Sequence, residues 1–268
     1  MQIKSVKRNF KITGFYSSFH FEWDTDFVFH GESHEMWEIV FLKSGKVEVT
    51  ENEKVYLLEK NNMIIHAPWE FHRIRSAGGT SPVVFVVSFT VKGEPPESLK
   101  EGIFALSTDQ GIRYGELCRR ISDFLEDKGI SSYSGQEAAD ALGAFLIRLS
   151  DKTVRQHSEV SAAAAEYRKV ATAMTNGVCE GKTLGDFAHE CGISISYMKL
   201  LFKEYAGISP KAYYTELRVR FAAEMLDGGV GAAELAERMN FSSSNYFSTF
   251  FKKHTGYSPL AYRNRKAN

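Results

Sequence analysis

The side chains of this sequence that could do chemistry fall in two places. Toward the C-terminus, Ser196, Lys199, Leu200 and Lys203 recur at steps of three and four, and Asn245, Ser248, Thr249 and Lys252 repeat the same spacing further on. Steps of three and four place each set on one face of a helix. Amide, hydroxyl and ammonium groups on such a face can reach base edges in a major groove, and Lys203, Lys252 and Lys253 near the helix ends suit phosphates. Toward the N-terminus, His34, Glu38 and His72 offer two imidazoles and a carboxylate. They could hydrogen-bond one another, hold a small polar ligand, or ligate an ion.

The elements that must position the first set are written twice. Leu184, Phe187, Ala188 and Cys191 form one apolar stripe, Gly192 stands where a helix stops in the left-handed conformation, and Ser194 is placed to cap the next helix. In the second copy Leu235, Ala236 and Met239 lead to Asn240, an allowed left-handed substitute for the glycine. Self-similarity at a period of about 50 residues indicates a duplicated supersecondary unit. Each unit reads as helix, tight turn, helix, with the small Ala188 and Ala236 where the two helices cross. In the second helix of the first unit Tyr197, Met198, Leu201 and Phe202 are expected inside, leaving Ser196, Lys199, Leu200 and Lys203 outside. A solvated helix face would carry the same polar residues, but two tandem copies favour recognition helices. Between the units, Ser209-Pro210 opens a helix that runs to Gly228, a rod of about 26 Å at 1.5 Å per residue. Such a rod can set two recognition helices roughly one DNA turn apart.

Residues 10–91 have a different character. Met36–Leu42, Lys46–Thr50, Val55–Leu58, Met63–Ile65 and Val83–Val91 read as strands separated by turns, the pattern of a β-barrel or sandwich. Equal parity on a strand puts His34, Met36 and Glu38 on one face. If His72 also points inward the three polar residues converge, with Trp37, Trp69 and Phe71 at the rim or in the core. The resulting effector site would comprise His34, Trp37, Glu38, Trp69 and His72 and suit a small polar molecule stacked on an aromatic ring, a carbohydrate first. Between Ile112 and Leu149 helical periodicity returns in the stripes Leu117, Ile121, Phe124, Leu125 and Leu142, Phe145, Leu146, Leu149. That pair would either close the barrel or form a dimer interface. Residues 156–165 are polar and Ala-rich and are expected to be a linker.

With these residues in place, the C-terminal hundred residues resemble the AraC/XylS family of bacterial transcription regulators. The resemblance rests on Ala188, Phe202-Lys203 and Gly207-Ile-Ser-Pro210 in the first unit. In the second it rests on Ala236, Asn240-Phe241, Tyr246-Phe247, Phe251-Lys252, Gly256-Tyr-Ser-Pro259 and Tyr262-Arg263. It implies base contacts from Ser196, Lys199 and Leu200 and from Asn245, Ser248 and Thr249. The sequence departs from the family where Leu200 and Thr249 stand in place of an arginine base reader, and where Asn240 replaces glycine. The run His34-Glu-Met-Trp-Glu38, Gly45, Asn62-Met-Ile-Ile-His-Ala-Pro68 and Phe71-His72 looks like that family's cupin-type sensor domain. Cupin enzymes build metal centres from such ligands; the regulators resembled imply no metal and no cofactor. They do imply a homodimer through the 107–155 segment, an activator, and RNA polymerase as a further partner.

The whole chain bounds these expectations. Its 268 residues, 43% of them apolar, suffice for two domains. Lys plus Arg and Asp plus Glu both number 33, yet from Glu166 onward 14 basic residues face 10 acidic ones. The asymmetry has the sign that nucleic acid requires. Cys118, Cys179 and Cys191 are too few and too scattered for a disulfide framework. No apolar run is long enough for a membrane span, so a cytoplasmic protein is expected. The expected fold class is α+β: a cupin-like barrel over 1–106, a helical segment over 107–155, a linker over 156–165 and a tandem helix-turn-helix domain over 166–268. The expected function is an effector-controlled regulator of double-stranded promoter DNA, not an enzyme. The rival is a metal-dependent cupin enzyme with a helical appendage, or a regulator without an effector.

Overall fold

The central N-terminal strands are buried on both faces and build two facing antiparallel sheets. The computed structural model describes residues 8–100, 102–128, 133–150 and 161–265. Its strands are β1 (Phe10–Glu22), β2 (Val28–Glu32), β3 (Trp37–Ser44), β4 (Val47–Glu51), β5 (Lys54–Leu58), β6 (Asn62–His66), β7 (His72–Ser76), β8 (Val83–Gly93) and β9 (Phe104–Ala105). One sheet has the order β1-β8-β3-β6-β9 and the other β2-β7-β4-β5. The five strands read from the sequence are β3, β4, β5, β6 and β8, with ends displaced by one or two residues. Periodicity does not mark β1, which is mostly half-buried or exposed and is held by its long pairing with β8.

Even-numbered residues of β3, β6 and β8 point between the sheets. Val40, Leu42, Ile64, Val84 and Val86 meet Val47, Val49, Tyr56, Leu58 and Ile74 from the facing sheet. Odd-numbered residues of the same strands, including Trp37, Ile39, Phe41, Met63, Ile65 and Val87, point the other way. That outer face is covered by α1 (Thr108–Leu125) and α2 (Ser134–Ser150), through Tyr114, Leu117, Ile121, Leu142, Leu146 and Leu149. The stripes of this helix pair therefore close the sheet. Leu125 alone departs from its expected stripe and lies 36% exposed. Gly111 lets α1 approach closely, since a Cβ there would stand 2.7 Å from the Phe41 ring.

The C-terminal half is helical: α3 (Ala162–Asn176), α4 (Leu184–Cys191), α5 (Ile195–Tyr205), α6 (Pro210–Asp227), α7 (Ala232–Arg238), α8 (Ser244–Thr255) and α9 (Pro259–Asn264). The expected linker is corrected here. Ser161 caps α3 and residues 162–165 are helical, because alanine is the best helix former and Ala164 is buried against the domain. Residues 151–160 lie outside the described residues.

Two cores follow from the duplication. In the first, Tyr167, Val170 and Met174 of α3 pack on Phe187, Ala188, Met198, Leu201 and Phe202. In the second, Leu235, Ala236, Met239, Phe247, Phe251 and Tyr262 surround Ala222, Ala223 and Leu226 of α6. Helix α6 gives Tyr213 and Leu217 to the first core, so one helix of 18 residues, about 27 Å long, joins both. Gly192 takes φ 69° and Asn240 φ 55°, the left-handed stops that the two turns need.

Buried and exposed faces of α5 have distinct expected energetics. Phe202→Ala should cost about 3–5 kcal/mol in urea denaturation, whereas Leu200→Ala, at a site 63% exposed, should change stability by about 0.5 kcal/mol or less.

Candidate nucleic-acid interface and polar cluster

Helices α5 and α8 are positioned alike. Ser194 and Ser243 cap them, accepting from the Tyr197 and Tyr246 backbone amides at 3.1 Å in each case. Met198, Leu201, Phe202 and Tyr205 anchor α5, and Phe247 and Phe251 anchor α8. What remains outside is the expected set: Ser196, Lys199, Leu200 and Lys203 on α5, and Asn245, Thr249 and Lys252 on α8, are exposed, with Ser248 half-buried. Lys199, Lys203, Lys252 and Lys253 make no ion pair among the described residues, which leaves their charges for phosphate. The Thr249 hydroxyl donates back to the Asn245 carbonyl at 3.0 Å, which uses its proton and leaves its methyl and the oxygen lone pairs. Tyr197 was expected inside but is 39% exposed, because Phe202 and Met198 already fill the face it would share. Tyr246, 60% exposed, joins the outer surface of α8, a position that hydrophobicity alone assigns to the core.

Strand register assembles the second site. Glu38 lies across from Ser88 of β8 and from His66 of β6, giving one polar row in one sheet. His72 lies across from Glu32 of β2 and Glu51 of β4, giving a second row in the facing sheet. The rows meet: His72 Nε2 is 3.3 Å from Glu38 Oε1, His34 Nε2 is 3.6 Å from Glu38 Oε2, and the Ser88 hydroxyl donates to Glu38 Oε2 at 2.8 Å. The His66 and His72 rings stack at 4.3 Å, and His66 Nδ1 is 3.1 Å from Glu51 Oε1.

Electrostatics divides these groups. Burial works to raise the Glu38 carboxyl, but the imidazoles of His34 and His72 overcome it and hold it well below the usual carboxylate range. Burial likewise opposes the charged form of His72, and Glu38 outweighs it, so His72 is raised. Burial pulls His66 down to about 3 and pushes Glu51 and Glu70 up to about 7.

Of the five expected effector residues the structure brings together His34, Glu38 and His72. Trp37 and Trp69 are corrections. Trp37 has the opposite parity to Glu38 and is buried in the apolar layer under α1 and α2. Trp69 sits at φ 65° in the β6–β7 turn and faces Tyr262 of α9, with ring centroids 6.1 Å apart. Phe71 likewise leaves the barrel and packs on Tyr213 of α6 at 5.5 Å. Contacts of 3.3 to 4.3 Å among His34, Glu38, His66 and His72 leave no space for a sugar ring. A cavity of about 660 Å³ lies instead between α1 and the outer face of β8 and β3, floored by Phe19, Phe41 and Phe85 and edged by Lys43, Asn61, Glu116 and Arg119.

The cluster borders the helical domain. Ser33 donates to Glu216 of α6 at 2.8 Å, and the Tyr167 hydroxyl donates to the Asn52 carbonyl at 2.6 Å. Arg220 of α6 donates to Asn52 Oδ1, which also accepts from the Phe71 amide at 3.1 Å. Arg73 of β7 donates to the Glu204 carbonyl at 2.5 Å, at the end of α5, and Arg75 pairs with the Glu204 carboxylate at 2.6 Å. Gly207, at φ 72°, lies against the His30 carbonyl, which a Cβ there would meet at 2.6 Å.

Residues 187–265 match the helix-turn-helix domain family. The virulence regulon transcriptional activator VirF of Yersinia enterocolitica is 32% identical over 87 residues, covering 32% of this chain and 32% of VirF. The transcriptional activator RhaR of Mannheimia succiniciproducens is 25% identical over 133 residues, covering 49% of this chain and 48% of RhaR. The chain thus spans about a third to a half of the length of these curated relatives, which are transcription activators and not enzymes. Among solved structures, ToxT from Vibrio cholerae O395 is similar at 13% identity and a TM-score of 0.39, covering 96% of this chain and 98% of ToxT.

Asn52 is the polar hub of the domain seam. Asn52→Ala should leave the Arg220 guanidinium and the Phe71 amide unpaired and lower stability by about 1–3 kcal/mol in thermal or urea denaturation.

Proposed function

We propose that this chain, whose C-terminal region is a helix-turn-helix domain of the AraC type, is a sequence-specific regulator of promoter DNA, an activator controlled by a small molecule bound in its N-terminal half. The observation that carries this is the pair of outward polar faces on α5 and α8, held by one shaft, α6, with lysines at their ends that make no ion pair among the described residues. Ser196, Lys199 and Leu200 read one segment of major groove and Asn245, Ser248 and Thr249 another, while Lys203 and Lys252 hold phosphates. No arginine stands on either exposed face to grip guanine in two places. Base discrimination therefore falls to the Asn245 amide and to thymine methyl contacts from Leu200 and Thr249. No helix among the described residues is long and apolar enough to cross a membrane, and a promoter-bound protein works in the cytoplasm.

The effector is a small polar molecule, a carbohydrate first. The cavity beneath α1 supports this, with aromatic rings on its floor and polar groups at its edge. A homodimer forms through the α1 and α2 segment, where Ile112 and Ile147 are 58% and 53% exposed. The dimer carries four recognition helices and presents the activator to RNA polymerase. Effector binding acts through the seam, where β7 and the β4–β5 turn touch α5 and α6, by favouring one placement of the DNA-binding domain over another.

Binding of the purified chain to short genomic DNA fragments, across salt concentrations and with a panel of sugars, tests the proposal. Sequence-selective binding that a sugar alters is expected; absence of DNA binding overturns it. Lys203→Ala and Lys252→Ala should weaken binding to all sequences alike and reduce the salt slope, whereas Asn245→Ala should cost about 1–3 kcal/mol mainly at one base position.

A further inference from the structure

The polar cluster contains an arrangement that hydrogen bonding leaves unsatisfied. His34 Nδ1 lies 3.1 Å from the Met36 carbonyl, and His72 Nδ1 lies 3.1 Å from the Glu70 carbonyl. A carbonyl only accepts, so each Nδ1 carries the proton, and in the neutral ring each Nε2 presents a lone pair. Both Nε2 atoms are buried without a hydrogen-bond partner, and both face Glu38, whose carboxylate is also an acceptor. A proton held between an Nε2 and Glu38 would occupy the space between them, and a cation binds there by displacing it. Glu32 completes the set, its Oε1 3.9 Å from His34 Nε2.

The distances fit a cation better than they fit one another. Ligands bound at about 2.1 Å around a tetrahedral ion stand roughly 3.4 Å apart. The separations here are 3.3 Å from His72 Nε2 to Glu38 Oε1, 3.6 Å from His34 Nε2 to Glu38 Oε2, and 3.9 Å from His34 Nε2 to Glu32 Oε1. Ligand atoms of Glu32, His34 and His72 all fall within 4.8 Å of one another. The surroundings are those of a prepared site. Backbone carbonyls fix the tautomer of both imidazoles, and Ser88 orients the Glu38 carboxylate. Glu32, its side chain 52% exposed, gives a route in from solvent.

We propose that Glu32, His34, Glu38 and His72 form a binding site for one divalent transition-metal ion, zinc first. Two imidazoles and two carboxylates are borderline and hard donors that suit zinc, iron, cobalt or manganese. Calcium and magnesium, which take six or more oxygens, do not fit. Ser33 lies between two of the ligands and holds Glu216 of α6, so the ion also braces the connection that touches the DNA-binding domain. The site is separate from the cavity beneath α1, and the inference does not depend on an organic effector binding there.

The test uses the full-length chain, stripped with chelator and dialysed, titrated with zinc chloride by calorimetry and with cobalt chloride by visible absorption. One ion per chain is expected, with the intense visible bands of cobalt in a low-coordinate nitrogen and oxygen site and a higher Tm. His72→Ala should abolish the bands. Glu32→Gln, at a half-exposed position that spares the fold, should weaken binding at least tenfold. His20→Ala, at a histidine of the α1 cavity, should bind as the parent chain does. Absence of stoichiometric binding overturns the proposal, as does binding that Glu32→Gln and His72→Ala both leave unchanged. DNA binding by the stripped chain, measured in parallel, reads the regulator proposal independently.

Discussion

Helix α6 must bury itself on three sides, and the rest of the molecule is arranged around that constraint. Tyr213 and Leu217 enter the first helix-turn-helix core, Ala222, Ala223 and Leu226 enter the second, and Glu216 and Arg220 turn to the sheets. A helix in such a place cannot show a single apolar stripe, and this one does not. Its ends are fixed by Ser209 and Pro210 at one side and Gly228 at the other. Arg218 shows how closely the second unit is fitted. Its guanidinium lies 4.2 Å over the Phe241 ring and donates to the Met239 carbonyl at 2.6 Å, closing the turn between α7 and α8.

Between the sheets the constraint is electrostatic. Glu38, Glu51, His66 and His72 are nearly inaccessible to water, and none could be there alone. Each occupies a register position opposite another polar residue, so the two rows form one polar layer beneath the apolar layer of Val40, Leu42, Val49 and Ile74. A shift of one residue in the pairing of β3 would exchange Glu38 for Trp37 and place a carboxylate under α1. The polar layer therefore specifies register as firmly as the apolar one.

Much of the helical domain was legible because its signals are local. Caps, left-handed stops and steps of three and four lie within a few residues of one another, and they located α4, α5, α7 and α8 and the outward sets on α5 and α8. Tyr197 escaped because an aromatic ring beside Met198 in an amphipathic helix looks like core, and no pattern assigned Tyr246 to either face of α8. In the sheets parity was a partial guide: it would have excluded Trp37, but His34 lies in the β2–β3 connection rather than on β3 and reaches Glu38 from outside the strand. Trp69 could not be placed by parity, since a residue at φ 65° in a turn belongs to neither face. Glu32, Glu51, His66 and Ser88 needed the pairing of strands far apart in sequence, which no local pattern encodes. The start of α3 was hidden by an alanine run that composition assigns equally to helix or linker.

Arg73 has the opposite parity to His72 and Ile74 on β7 and points out of the barrel, where its guanidinium closes the last turn of α5 by donating to the Glu204 and Tyr205 carbonyls. A helix end is ordinarily the first part to fray, and a cation on its terminal carbonyls opposes that. Here the cation belongs to the other half of the molecule. Fraying at the end of α5 is consequently coupled to the contact between the two halves, so loosening that contact should raise solvent exchange of the backbone amides in that turn.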